Sequence, residues 1–142
     1  AFVTMRVCAA LVRGFGLKRG ALASSVAHDH HNIIVAGVDE TDMAACVRAI
    51  QDMQGGLAIA ADGAVLGTLP LPVGGLMSEA PVENVIANLE AITAVAHELG
   101  CTLPAPFMTI SFISLPTVPE LGLTDRGLVS VRNHALISPF VE

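Results

Sequence analysis

Apolar and polar positions along this chain fall into short runs broken by glycine and proline. Residues 2–13 are mostly β-branched or small and apolar, which predicts a first strand. Gly14-Phe15-Gly16-Leu17-Lys18-Arg19-Gly20 interrupts it as a loop. Residues 21–27 suit a second strand, and the β-branched run at 33–38 suits a third. Asp39-Glu40-Thr41-Asp42 then opens a helix. Asp39 can accept from free backbone N–H groups, and the acidic first turn meets the positive end of the helix dipole. Met43, Val47, Ile50 and either Met53 or Gln54 mark its inner stripe, and Gly55-Gly56 ends it. Residues 57–61 and 64–69 predict two strands joined at Asp62-Gly63, where both turn positions tolerate positive φ. Pro70 and Pro72 lack the ladder donor, so the chain must leave any central sheet position there.

A longer helix starts within residues 78–81, with Pro81 in the first turn, where its missing N–H costs nothing. Val82, Val85, Ile86, Leu89, Ile92, Ala96 and Leu99 recur at helical spacing, and Gly100 closes the helix. Its outer face carries Glu83, Asn88, Glu90 and Glu98. Residues 107–115 predict a further strand closed by Pro116, residues 124–127 a turn, and residues 128–131 a last short strand. The order strand, helix, hairpin, helix, strand predicts one α/β domain over residues 1–142. The expected architecture is a mixed β-sheet sandwich with two main helices and at least one β-hairpin.

Composition narrows the partners. The chain is 53% apolar and 14% charged, which suggests that a partner or further sequence covers some hydrophobic surface. An Ala- and Val-rich core would give the same figures. With a net charge of −6, scattered basic residues and no Trp or Tyr, neither a duplex-binding face nor a single-strand stacking platform is expected. Cys8, Cys46 and Cys101 form no paired spacing and suit a reducing cytoplasm. No membrane span is expected, because the most apolar stretch, residues 103–119, is short and broken by Pro104, Pro106 and Pro116. Arg6 lies within the first apolar run rather than ahead of it, which does not suit a signal peptide.

The densest chemistry lies at Ser25-Val26-Ala27-His28-Asp29-His30-His31-Asn32, directly before a strand. In an extended segment His28 and His30 share a face, and His31 points the other way. A zinc-type site needs three or four donors, and the extra ones would have to come from Asp29, Cys8, His97 or His134. The cluster also suits acid–base work, since imidazole titrates near neutrality. Alternatively, Asp29 and Asn32 simply cap turns beside partly exposed histidines. The spacing of Gly14, Gly16 and Gly20 departs from the dinucleotide fingerprint, and Lys18-Arg19 lacks the phosphate-loop Ser or Thr, so a tight loop is expected. Ser25 has no nucleophile-elbow context and is expected to be a hydrogen-bonding turn residue.

Several segments taken in order resemble the C-terminal domain of bacterial-type adenine deaminases, of the amidohydrolase superfamily. They are residues 13–21, Ser25-x-x-His28-Asp29-x-His31-Asn32, and Leu69-Pro70-Leu71-Pro72-x-x-Gly75-Leu76-Met77-Ser78. Pro106-Phe107-Met108-Thr109-x-Ser111-Phe112 and Leu121-x-Leu123-Thr124-Asp125-Arg126-Gly127-Leu128 complete the set. The first dozen residues match poorly, and His30 falls at a variable position of the pattern.

The resemblance implies hydrolysis of adenine to hypoxanthine and ammonia, with Mn²⁺ or Fe²⁺ held in an N-terminal barrel. Such a barrel needs about 250 residues, so this chain is expected to be the accessory domain alone, inactive by itself and with no metal of its own. His28-x-His30 precedes a strand, whereas barrel ligands sit at strand C-termini. Substrate-facing candidates are His28, Asp29, His31 and Asn32, whose donors and acceptors suit the edge of adenine. The expected partners are the barrel, adenine and, in the full-length form, further copies of the same protein. The alternative is a non-enzymatic oligomerisation or small-molecule-binding module.

Overall fold

The computed structural model describes residues 7–27, 30–118 and 120–140. Its elements, in chain order, are β1 (Ala21–Ser24), β2 (Ile34–Gly37), α1 (Glu40–Asp52), β3 (Gly56–Ala61), β4 (Ala64–Pro70), α2 (Val82–Glu98), α3 (Pro106–Ile113), β5 (Leu121–Thr124), β6 (Gly127–Ser130) and β7 (Ala135–Ile137). The first four strands form one sheet in the order β2-β1-β3-β4, and the last three form a second in the order β5-β6-β7. This is the expected α/β class with hairpins, and every strand pairing among the described residues is antiparallel.

Alternation along β1 and β3 sorts the main sheet into two faces. Ala21, Ala23, Ala58 and Ala60 point to one face and meet Ala45, Cys46 and Ile50 of α1. These small side chains let α1 lie close to the strands, and at Gly37 even a methyl group would come within 2.6 Å of the Ala21 Cβ. The inner surface of α1 is therefore narrower than its large residues suggested: Ala45, Cys46 and Ile50 are buried, while Met43, Val47 and Met53 are only half-buried. Leu22, Ile34, Leu57, Ile59 and Leu69 point to the other face, where α2 and α3 cover them with Ile92, Ala96, Phe107 and Ile110.

Local chemistry fixes the joints. Asp39 caps α1 by accepting from the N–H groups of Thr41 at 2.8 Å and Asp42 at 3.1 Å, a contribution of about 1 kcal/mol. Asp42 is buried inside the first turn, and its Oδ1 accepts from Gly63 N at 2.7 Å, which ties α1 to the β3–β4 hairpin. Asp62 and Gly63 take φ of 55° and 77°, as the two-residue turn requires. Pro70 is the last residue of β4, an edge strand, so its missing N–H breaks no central ladder. Gly67 on β4 faces α2 so closely that a Cβ there would lie 2.9 Å from Ile92 Cγ2.

Three sequence expectations are corrected. Residues 107–115 were expected to be a strand, but α3 occupies Pro106–Ile113. The β-branched residues there suggested a strand, yet the buried positions Phe107, Ile110, Ser111 and Ser114 follow helical spacing. Pro106 fits the first turn, and the hydroxyls of Thr109, Ser111 and Ser114 donate to carbonyls of Ala105, Met108 and Ser111. Residues 7–13 form no strand and are largely exposed; the rest of that expected strand lies outside the described residues. β5 and β7 were not anticipated, since each is only three or four residues long.

Candidate functional site

The polar segment begins where β1 leaves the sheet. Ser25 is buried there and acts as a joint between three pieces of chain. Its N–H donates to Gly56 O at 2.9 Å, its Oγ accepts from Gly56 N at 2.7 Å, and the same Oγ donates to Gly75 O at 2.5 Å. Its lone pair and proton are thus committed to backbone groups, which fits the turn role expected of it and leaves no nucleophile. Ser24 Oγ accepts from Val26 N at 2.9 Å, which starts the turn that follows.

His28 and Asp29 lie outside the described residues. His31 is exposed and takes a left-handed φ of 49°, with its N–H donating to Ala27 O at 2.9 Å. Asn32 is half-buried and lines a cavity of about 250 Å³ together with His30. The structure thus sends His31 to solvent and brings His30 and Asn32 together, through a turn at residues 27–31 rather than through the extended alternation expected from sequence. The cavity lies at the β2 edge, with apolar walls including Val35 and Val47, and it also receives Cys8, Thr124 and Asp125. Cys8 Sγ donates to the Asp125 carbonyl at 3.1 Å, so the N-terminal approach of the chain is pinned at this cavity.

His30 is the residue that sequence reasoning passed over, because it sits at a variable position of the family pattern. Its Nε2 is buried and has no hydrogen-bond partner among the described residues, and an unsatisfied buried polar atom costs on the order of 1–3 kcal/mol. The other histidines stand apart: His97, near the end of α2, contacts Leu103 O through Nε2 at 2.9 Å, and His134 lies exposed before β7.

Among the described residues, no three His, Cys, Asp or Glu side chains converge as a metal ion requires. The Mn²⁺ or Fe²⁺ that the resemblance implies is one held by a separate barrel, and no metal-dependent step is assigned to the described residues. Cys46 offers no activated thiolate either. Burial, with Asp42 nearby, pushes the Cys46 thiol up to about 12, so it stays protonated at neutral pH. The glycine-rich stretch is a loop packed on the end of α2, with Lys18 N donating to Leu99 O at 3.0 Å and Thr102 N to Phe15 O at 2.9 Å. It leads into a strand rather than a helix, which argues against phosphate binding. Among the described residues, no helix is long and apolar enough to cross a membrane.

These features define a class: an α/β domain that presents a polar segment beside a cavity at the edge of its main sheet. The chain belongs to the adenine deaminase C-terminal domain family, whose model matches residues 3–135. It is 58% identical over 131 residues to an adenine deaminase of Desulforamulus reducens, covering 92% of this chain and 22% of that protein. It is 55% identical over 129 residues to one from Desulfatibacillum aliphaticivorans, covering 91% and 23%. A third, from Methanothrix thermoacetophila, is 52% identical over 132 residues, covering 93% and 23%. The chain thus spans less than a quarter of the length of the curated relatives it matches.

Proposed function

We propose that this chain is the accessory C-terminal domain of a metal-dependent hydrolase converting adenine and water to hypoxanthine and ammonia. In this reading a catalytic barrel outside the chain holds Mn²⁺ or Fe²⁺, and the segment around His28–Asn32 faces its mouth. The observation that carries the reading is the cavity where His30 Nε2 lacks a partner, beside Asn32 and the N-terminal approach at Cys8. The family's description as a C-terminal domain supports a body that precedes this segment in such proteins. A body joined through residues 7 and 8 would arrive next to the polar segment. Imidazole and amide groups there can both donate to and accept from a purine edge. His28, Asp29, His31 and Asn32 remain the substrate-facing candidates, and His30 joins them. The three free cysteines and the purine substrate suit a cytoplasmic enzyme of purine metabolism that assembles from several copies.

The test uses a full-length chimera in which this chain replaces the matching segment of the Desulforamulus reducens adenine deaminase. His31→Ala, at an exposed position, is expected to leave thermal unfolding unchanged and to lower kcat/KM for adenine about tenfold, the value of one good hydrogen bond. The isolated chain serves as the blank in the same absorbance assay. Full turnover by a normally folded His31→Ala chimera would end the substrate-facing role.

A further inference from the structure

A second depression lies on the α2–α3 side of the main sheet. It encloses about 730 Å³, has a floor of Leu57, Leu69, Leu71 and Phe107, and is walled by the two helices. Leu89 and Met108 of its lining are 39% and 55% exposed, and on the preceding turns of the same helix Val82 and Ile86 are 62% and 50% exposed. Val82, Ile86 and Leu89 are spaced four and three residues apart, so they form one stripe along the first half of α2. The helix therefore carries two apolar stripes. The core covers the one ending in Ile92, Ala96 and Leu99, while this chain leaves the other open.

Resting on the deaminase reading, we propose that this groove seats a part of the enzyme outside the present domain, an apolar ridge flanked by basic side chains. Relatives carry more than three quarters of their length outside the matched segment, so on this reading a large covalently attached body is at hand to cover an open face of the domain. The exposed acids Glu79, Glu83 and Glu90 accompany the open stripe. A second copy of this chain, itself at −6, would bring like charge against them, whereas a basic-rimmed ridge would complement them.

Hydrogen exchange on the chimera and on the isolated chain decides this. Residues 82–93 and 105–112 are expected to exchange at least tenfold more slowly in the chimera. The double substitution Ile86→Asp and Leu89→Asp should abolish that protection while leaving the melting of the isolated chain unchanged, since both side chains are exposed. Equal exchange in the two contexts would overturn the proposal. So would protection that grows with concentration in the isolated chain, which would identify a second copy as the occupant. The readout is independent of turnover: an active chimera with unprotected helices sinks the groove alone, and an inactive one with protected helices sinks the deaminase reading alone.

Discussion

Gly56→Ala should cost about 4 kcal/mol, from 1–3 of backbone strain and 1–3 of overpacking, which is a large share of a small domain's total stability. Gly56 holds φ at +142°, a region that side-chain-bearing residues rarely adopt, and an added Cβ would lie 2.2 Å from Leu69 O and 2.9 Å from Met53 Cε. The nearer neighbour is a backbone carbonyl on the paired strand β4, so relief requires the β3–β4 ladder to open. Gly56 also donates its N–H to Ser25 Oγ and accepts from Ser25 N, so moving it loosens the start of the polar segment. Gly14→Ala is the control: its φ is +106°, but nothing lies within 4 Å of the new methyl group. It should cost only the conformational part, about 1–3 kcal/mol. Urea midpoints for the two variants measure the difference, and equal midpoints would refute the packing argument.

How legible the fold was depended on whether local and tertiary signals agreed. Asp39, Asp62-Gly63 and Gly100 announced a cap, a hairpin and a helix end because each acts through its own backbone, and the structure uses each that way. α3 misled because Thr109, Ile110 and Ile113 are β-branched, and the helix is held by Pro106 and by hydroxyl-to-carbonyl bonds that composition does not reveal. α2 was only half legible. All seven apolar positions fit a helix, but the core uses Ile92, Ala96 and Leu99 fully and leaves Val82, Ile86 and Leu89 open. Periodicity reports an amphipathic face without reporting how much of it this chain itself covers.

The candidate site followed the same division. The density of His and Asn near 28–32 drew attention to a segment that the structure sets beside a cavity, but the turn that separates His31 from His30 was not visible in it. What sequence could not supply was the long-range part. Asp125 and Cys8 reach the cavity from opposite ends of the chain, through a second sheet whose outer strands had no clear pattern. Thr124-Asp125-Arg126-Gly127 was visible as a turn, but nothing in it indicated that it would close over Asn32.

Ser25→Ala is expected to destabilise the domain by about 2–6 kcal/mol, because it leaves a buried donor and a buried acceptor unmet at roughly 1–3 kcal/mol each. The loss falls at the junction of β1, the α1–β3 turn and the loop at Gly75, where one hydroxyl accepts at 2.7 Å and donates at 2.5 Å. A methyl group can replace the volume but neither bond, and the site is too closed for water to enter easily: the side chain touches Gly56 and Gly75, and Ser25 is 9% exposed. Ser24→Ala provides the comparison, since that hydroxyl satisfies only Val26 N and donates through a long 3.4 Å contact to Val26 O; about 1 kcal/mol is expected there. The functional corollary concerns position rather than chemistry. If Ser25 holds the segment that carries His30 and Asn32, the chimera bearing Ser25→Ala should show faster amide exchange at residues 30–33 even well below its melting temperature. Equal stability of the two serine variants, or exchange at 30–33 that does not change, would mean that the segment is anchored elsewhere.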